Sequence, residues 1–469
     1  MDSIPLLVLT GQVSTSLLGT SAFQEVDMIG MTLGICKHSA MVRDPAELAD
    51  AVDEAIHIAT HGRPGPVLLD LPKDVLMHPA PSTLHRRRTA APPPRDLPLA
   101  DLERAAALLR SARRPLLLSG GGLAHTGRVE LLRRLAEQEV WPHVTTLRGI
   151  GNAPPRHPGS LGMIGMYGNP AANEVLAECD VLLALGVRFD ERATGDPNAF
   201  APQARVVHID IDRGELQRVR TAEVAMAGDL AELLPALATA LAAPHLPPPA
   251  PERAAWWSEC VARKRAAAWD HPTSHGPRWL AALGDALPPH AFVTCDVGNH
   301  QMWVARYMPF ADPRRHLSSG GFGAMGFGLP AAIGAQLACP DATVVVVSGD
   351  GSFMMNVQEL ETVRREQLPI KMVVIDNAAL AMVGQQQRVF YGGESHCNLS
   401  NPDFVTLARA FGIPAQCVRP ERDPAETWAT WLREPGPGLL VLPLLPRDEV
   451  WPLVPPGRPN HPMRHGGAP

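Results

Sequence analysis

Val344-Val345-Val346-Val347-Ser348-Gly349-Asp350-Gly351-Ser352-Phe353, followed by Lys371-Met372-Val373-Val374-Ile375-Asp376-Asn377, is the pair of stretches on which the fold turns. Each begins as an uninterrupted apolar run, the pattern of a strand buried on both faces of a parallel sheet. Asp350 and Asn377 lie 27 residues apart, room for a strand, a crossover helix and the next strand. Both are therefore expected at the carboxyl edge of the sheet, where open α/β folds bind ligands. A carboxylate oxygen and an amide oxygen are hard donors suited to Mg²⁺, which takes one or two protein ligands alongside phosphate oxygens. Gly349 and Gly351 allow backbone amides to approach a diphosphate, and Ser352 continues the same loop. By itself Gly-Asp-Gly reads equally well as a turn after a strand; Asn377 is what tips the reading toward a site.

Outward from this unit the same alternation recurs. Runs at Phe292 to Cys295, Thr343 to Ser348, Lys371 to Ile375 and Leu439 to Leu444 read as strands of one sheet. Pro115 to Ser119, Val181 to Leu185 and Val206 to Ile211 read as strands of another, separated by Ala- and Leu-rich helices. Near the start, Leu6 to Thr10 and Val67 to Leu71 are strands around a helix from Pro45 to Thr60. The fold class is α/β with doubly wound parallel sheets. Proline density marks linkers at 79–98 and 246–252. They divide the chain into a half-domain at 1–78, a central domain at 99–245 and a third domain at 253–450, with a tail at 451–469 that is expected to order poorly from Val454 on.

Bulk properties exclude several classes of function. The 469 residues carry a formal charge of -6, with 45% hydrophobic and 19% charged residues, which gives no footprint for nucleic acid. No apolar run approaches the roughly 18 residues of a membrane span, and the first residues lack the positive start of an export signal, so neither membrane nor export is expected. The seven cysteines are scattered singly, as expected of reduced thiols in a cytoplasmic protein without a zinc site.

The Gly-Asp-Gly unit followed by Asn377 resembles the metal-diphosphate motif of thiamine-diphosphate enzymes, with Asp376 in place of the first residue of the usual Asn pair. Longer stretches resemble one branch, the acetolactate synthase large catalytic subunits: Gly349 to Leu360 (GDGSFMMNVQEL), Ser318 to Ala332 (SSGGFGAMGFGLPAA), Asp296 to Trp303 (DVGNHQMW), Phe23 to Asp27 (FQEVD) and Arg63 to Pro66 (RPGP). The resemblance covers essentially the whole chain and implies a three-domain enzyme whose first domain, here 1–78, binds the pyrimidine ring. It implies that Asp350, Asn377 and the carbonyl of Ala379 hold Mg²⁺. Asn299, His300 and Gln301 would meet the diphosphate, with Gly323 in the same cofactor shell. Met325 would be the apolar pillar that bends the cofactor, a task suited to a thioether, although an ordinary core methionine fits the pattern as well. Met382 would touch the pyrimidine.

The central segment carries Ser119-Gly120-Gly121-Gly122 after a strand and Val206 to Asp212 (VVHIDID) ending another. Without GxGxxG, a hydride-transferring NAD site is poorly supported, and a Gly-rich structural turn is the plain alternative. The resemblance implies FAD, bound without a net redox role at Arg63, Gly120, Gly121, Gly122, Gly162, Met163, Gly165, Val187, Arg188, Asp210, Ile211 and Asp229. Arg188 reads equally as a surface ion pair. Arg192 would contact the carboxylate of an acceptor 2-oxo acid, and a bidentate guanidinium fits that task. Only four of the 42 cationic residues are lysines, and Lys37 stands in a stretch like the family's CTKH near the site mouth; a leftover surface lysine is the alternative. Gln12 and Phe23 complete the catalytic neighbourhood that the resemblance implies.

By the same resemblance, the family's activating glutamate and a TSGPG-like turn fall before Met1. The chain accordingly reads as an N-terminally truncated member, through a misplaced start or a shortened gene, and the strand opening at Leu6 is expected to expose a sheet edge. Gln386 stands where the family's acceptor-pocket Trp sits, Gly384 where Arg or Thr is common and Ala381 where Gly is common. Loss of the Trp wall should weaken selection of 2-oxobutanoate over pyruvate. The implied reaction is decarboxylation of pyruvate and ligation to a second 2-oxo acid, in a homodimer or homotetramer with a possible small regulatory subunit. The alternatives are another thiamine-diphosphate carboligase or decarboxylase, or an inactive paralogue that binds cofactors or pairs with an intact homologue.

Overall fold

In the computed structural model, residues 1–79, 96–267, 272–418, 421–444 and 448–466 are described. The linker expected at 79–98 therefore lies, except at its ends, outside the described residues. The chain divides into two compact units, Met1–Leu97 and Pro98–Pro469.

The first unit holds three parallel strands, β1 (Leu6–Gln12), β2 (His38–Met41) and β3 (Pro66–Pro72), in the order β1-β3-β2. The middle strand β3 is the apolar run that burial on both faces requires. Its one polar side chain, Asp70, is fully buried and accepts from Thr10 Oγ1 at 2.8 Å and Gln12 Nε2 at 3.0 Å. Ala55 and Ala59 on the helix Leu48–Thr60 pack with Val67, Leu69 and Leu71 of β3. β1 is an outer strand, and Leu6 and Leu9 on it are more than half exposed.

The second unit contains two six-stranded parallel sheets. The first comprises β4 (Pro115–Ser119), β5 (His143–Thr145), β6 (Ser160–Met163), β7 (Val181–Leu185), β8 (Arg205–Asp210) and β9 (Val224–Ala227), in the order β6-β5-β4-β7-β8-β9. The chain starts at the centre, winds out to β6, then returns beside β4 and winds the other way, so the topological switch point lies between β4 and β7. Strand periodicity sorts the side chains between two cores: Leu117 and Leu183 join one apolar cluster, Leu116, Leu118, Leu182 and Ala184 the other.

The other sheet comprises β10 (Phe292–Cys295), β11 (His316–Ser318), β12 (Val344–Gly349), β13 (Lys371–Asp376), β14 (Ala415–Cys417) and β15 (Gly438–Pro443), in the order β11-β10-β12-β13-β15-β14. The valine run divides as a doubly covered strand must, with Val345 and Val347 in one core and Val344 and Val346 in the other. β12 and β13 are adjacent and parallel, and their register, from Val345 opposite Lys371 to Gly349 opposite Ile375, brings their carboxyl ends side by side.

Residues 448–466 depart from the expectation of poor order beyond Val454. Val450, Leu453, Val454 and Met463 are buried. Arg306, on the helix Asn299–Tyr307, donates to the carbonyls of Trp451 at 2.9 Å and Pro452 at 2.7 Å. Val454 N donates to Met166 O at 2.8 Å and Asn460 Nδ2 to Ala193 O at 2.9 Å. The segment has almost no regular structure of its own, but its carbonyls and apolar side chains are taken up by the two sheets' helices and loops, which composition does not foretell.

Of the sealed imidazoles in this unit, His143, His300 and His316 are pushed furthest. Burial pushes them down to about 3, about 4 and about 3, with Arg133 adding to the effect at His143 and Arg148 at His316. Because their folded values lie below the ordinary 6.5, the unfolded chain binds more protons in acid. Stability that is intact above about pH 6.5 should be lost as pH falls toward 4, by roughly 3 kcal/mol for one such ring. Thermal unfolding between pH 8 and 4 is expected to show a midpoint falling below pH 6.5, and His316→Gln should flatten that fall; equal slopes in the two proteins would count against the assignment.

Candidate active site

A cleft of about 680 Å³, part of it open to solvent, lies at the carboxyl ends of β12 and β13. Asp350, the first residue after β12, is its sole carboxylate among the described lining residues and is 2% exposed. Asp350 Oδ1 accepts from Gly351 N at 2.8 Å. Asp350 Oδ2 accepts from Asn401 Nδ2 at 2.8 Å, Asn377 N at 3.2 Å and Ala379 N at 3.3 Å. Burial raises its pKa, the Asp376 carboxylate adds to the rise, and these donors oppose it. Asn377 and Ala379 follow β13 and line the same cleft. The turn between them is set by Ala378 at φ 51°. The residues after the helix Ala381–Tyr391 hold that turn: Leu380 N donates to Cys397 O and Leu399 N to Ala378 O, each at 2.7 Å.

The opposite wall is the loop after β10 and the start of the helix Asn299–Tyr307. A Cβ at Gly298 would sit 2.9 Å from the His300 ring and one at Gly349 would sit 3.0 Å from it, so two glycines make room for this imidazole. The Asp296 carbonyl accepts from one ring nitrogen, which leaves His300 Nε2 buried without a partner. Asn299 Nδ2 donates to Asp448 O at 3.0 Å, and Asn299 Oδ1 is likewise buried and unpartnered. Such orphaned polar atoms in a cleft call for a ligand. Ser352 also lines the cleft, its hydroxyl donating to Val297 O at 3.2 Å. The remaining walls are apolar: Met325, Met382, Trp303, Ile375 and Leu380. Gly351 lies under Leu380, Leu399 and Met325, where a Cβ would come within 2.9 Å of Leu380. Gln386 reaches the cleft and donates to the buried Tyr167 hydroxyl at 3.0 Å.

The residues expected to meet a metal and a diphosphate are thus largely brought together. Two do not line the cleft: Gln301, on the helix Asn299–Tyr307, donates to Ser318 Oγ at 2.6 Å, and Gly323, at φ 62°, lies after β11 beside the cleft residue Val297. Asn401 joins these residues through its contact with Asp350, and nothing in its local sequence marks it. Among the described residues no three His, Cys, Asp or Glu converge as a metal site. One buried carboxylate with an amide and a carbonyl nearby fits a hard cation shared with a diphosphate.

The second set lies along one edge of the central sheet. Gly120, Gly121 and Gly122 follow β4, Val187 and Arg188 follow β7, Asp210 ends β8 with Ile211 next, and Asp229 lies beyond β9. A Cβ on Gly120 would run into the Gly186 carbonyl, one on Gly122 would sit 2.7 Å from Gly186 Cα, and one on Gly121 would sit 2.9 Å from Arg148 Cβ. Close approach of the two loops at the switch point therefore accounts for Gly120 and Gly122, and the loop after β5 for Gly121. Val187 O accepts from His208 Nε2 at 2.8 Å, and Asp210 Oδ1 accepts from Asp212 N at 2.8 Å. Asp229 caps the helix Leu230–Leu241 through Ala231 N. Gly162, Met163 and Gly165 lie at and after β6, where Met163 N donates to Asn169 Oδ1 at 3.2 Å. Arg192 is 61% exposed on its side chain, 3.6 Å from Glu191 and donating to Met166 Sδ at 2.7 Å. It does not line the cleft.

In the first unit, Lys37 Nζ donates to the carbonyls of Ile58 and His61 and so caps the helix Leu48–Thr60. Gln12 Nε2 donates to Val26 O at 2.7 Å as well as to Asp70. Arg63 Nε donates to Ser3 Oγ at 2.9 Å, and Phe23 is 89% exposed.

All seven cysteines are free thiols. Among the described residues no helix is long and apolar enough to cross a membrane.

Residues 296–442 match the thiamine pyrophosphate enzyme C-terminal TPP binding domain, and residues 102–237 match the central domain of the same enzymes. The acetolactate synthase isozyme 2 large subunit of Escherichia coli (strain K12) is 44% identical over 469 residues, 99% of this chain and 83% of that protein. The isozyme 1 large subunit of the same organism is 40% identical over 472 residues, 99% of this chain and 82% of the relative. The acetolactate synthase large subunit of Pyropia yezoensis is 40% identical over 481 residues, 99% of this chain and 80% of the relative. Identity at this level over nearly the whole chain, together with a carboxylate, amide and thioether cleft inside the matched TPP-binding region, means that the chain belongs to the acetolactate synthase large-subunit family of thiamine pyrophosphate enzymes.

Proposed function

We propose that this chain decarboxylates pyruvate and joins the remaining two-carbon unit to a second 2-oxo acid, pyruvate or 2-oxobutanoate. The products are 2-acetolactate and its ethyl homologue, precursors in branched-chain amino-acid synthesis. The observation that carries this reading is the cleft itself, in which one buried carboxylate, two unpartnered polar atoms and two methionines face one another. When bound, thiamine diphosphate supplies an electron sink for the carbanion left by loss of CO₂. The chain's part is to hold, orient and keep water out. Asp350, Asn377 and the carbonyl of Ala379 would hold Mg²⁺, while the second N–H of the Asn299 amide, and His300 with a proton on Nε2, would meet the diphosphate. Met325 and Met382 give the cofactor an apolar bed.

The reaction moves no net electrons to an outside acceptor, so FAD would serve in binding and shape. Its supporting observation is the shared edge at the switch point of the central sheet, where dinucleotides bind in such folds. Arg192 has an exposed guanidinium suited to the acceptor carboxylate. The relatives' designation as large subunits supports a smaller partner, and the exposed Leu6, Leu9 and Phe23 support contact with another copy of the chain. Free thiols throughout support a cytoplasmic setting.

Quantifying 2-acetolactate formed from pyruvate with thiamine diphosphate, Mg²⁺ and FAD tests the proposal. Turnover on the order of 1 to 1000 per second supports it. Absence of product with the cofactors bound would instead make the chain a non-catalytic binder. Gln386 offers a finer check. Gln386→Trp replaces a polar side chain on the cleft wall with a broad apolar one, and the product ratio with both acceptors present should shift toward 2-oxobutanoate by about tenfold. An unchanged ratio would remove Gln386 from the acceptor subsite.

A further inference from the structure

Asn401 lies in the irregular stretch between the helices Ala381–Tyr391 and Phe404–Ala410, and its one amide nitrogen donates to two carboxylates at once: Asp350 Oδ2 at 2.8 Å and Asp376 Oδ1 at 2.7 Å. A primary amide has two N–H bonds, so both are committed. The chain reaches this point along the turn of the cation site, with Ala379 and Asn398 bridged antiparallel. Leu399 covers Gly351, where an added Cβ would lie 3.1 Å from Leu399 Cδ1. Residues 397–401 thus brace both sides of the site, and Asn401 is the group that ties its two carboxylates together.

Donors are shared unevenly across the Asp350 carboxylate. Oδ2 takes three of them, with Asn401 the closest at 2.8 Å and the two backbone amides at 3.2 and 3.3 Å. Oδ1 takes Gly351 N alone, at 2.8 Å. One oxygen is saturated and the other keeps a lone pair directed elsewhere. We infer that Asn401 is a positioning residue that keeps Asp350 a one-oxygen ligand and keeps Asp376 out of the cation's shell, which biases the site toward Mg²⁺ over Ca²⁺. Mg²⁺ requires a small, regular shell, whereas Ca²⁺ takes more oxygens and accepts both oxygens of a carboxylate. Without the Asn401 amide, Asp350 Oδ2 keeps only the two longer backbone contacts and Asp376 Oδ1 only that from Ala378 N at 3.4 Å, so each turns more readily toward the larger ion.

The inference rests on the proposed Mg²⁺ and thiamine diphosphate site, and its test separates the two. The full chain, Asn401→Ala and the isosteric Asn401→Asp are titrated with MgCl₂ and, separately, with CaCl₂ at saturating thiamine diphosphate in an isothermal calorimeter. Both variants are expected to lower the preference for Mg²⁺ over Ca²⁺ by about tenfold, the order expected for loss of a hydrogen bond to a charged group. Adding Asp376→Asn to Asn401→Ala should restore part of the preference, because the released carboxylate is then gone. A general loosening of the fold would weaken both ions alike and leave the ratio where it was. A ratio unchanged in both variants, or failure of both to fold, overturns the role given to Asn401. No saturable Mg²⁺ response in the unaltered chain would instead overturn the cation site beneath it.

Discussion

Replacing Asp350 with alanine is expected to abolish Mg²⁺-dependent binding of thiamine diphosphate and to lower acetolactate formation by about a thousandfold or more. The size of the effect follows from the composition of the cleft. Asp350 is the only carboxylate among the described lining residues, so no neighbouring side chain there can take over its charge. Without a cation, the diphosphate meets a wall whose nearest carboxylate behind the cleft, Asp376, repels it. Stability should suffer far less than binding. Burial already disfavours the charged form of Asp350, so its removal relieves a desolvation cost even as it strands the donors on Asn377, Ala379 and Asn401. Asp350→Asn, close in shape, should lose the cation in the same way. Calorimetric titration of both variants, with and without MgCl₂, checks this against thermal unfolding of the unliganded proteins. Retained Mg²⁺-dependent binding in Asp350→Ala would move the cation site elsewhere.

The second large effect is expected at Arg306→Met, which keeps the apolar stem and removes the guanidinium. Arg306 is 8% exposed and donates to four carbonyls: Tyr167 at 2.7 Å, Trp451 at 2.9 Å, Pro452 at 2.7 Å and Gly168 at 3.4 Å. Two of these belong to the loop after β6 and two to the C-terminal segment, so one side chain fastens both. Methionine leaves buried carbonyls without donors, at a cost on the order of 3–5 kcal/mol after allowance for the relief of an ion buried away from water. Chemical denaturation reads that loss, and limited proteolysis should show cleavage within 448–466 before the rest of the unit. A variant that unfolds at the same denaturant concentration as the unaltered chain would show that the segment is held by other means.

The fold was legible where one physical signal dominated. β4, β7, β10, β12, β13 and β15 are apolar runs of four to six residues, and their sequences carry the mark of burial on both faces. β2, β5, β6, β9, β11 and β14 are three or four residues long, and several carry His, Ser or Gln, as in His143, Ser160, His316 and Gln416. Apart from the apolar β9 (Val224–Ala227), such stretches have no apolar run to detect, and pairing with a longer neighbour is what makes them strands. The site divides in the same way. Asp350 and Asn377 stand immediately after long adjacent strands, so sheet register alone brings them together. Asn401 follows an irregular stretch with no periodicity, and its place beside Asp350 comes from backbone pairing between 378–380 and 397–399. The contact of the Lys37 ammonium with the last carbonyls of a helix is likewise set by the fold and not announced by its local sequence. The glycines at 120–122 are explained by close contact with the loops after β5 and β7, whether or not a dinucleotide lies beside them.

The most direct measurement is titration of the purified chain with thiamine diphosphate in an isothermal calorimeter, once with MgCl₂ and once with EDTA. One saturable site per chain that requires Mg²⁺, and that disappears in Asp350→Ala, is the expected result. Binding that is absent in the presence of Mg²⁺, or that is equally strong in EDTA, would contradict the assignment of the β12–β13 cleft as the cofactor site.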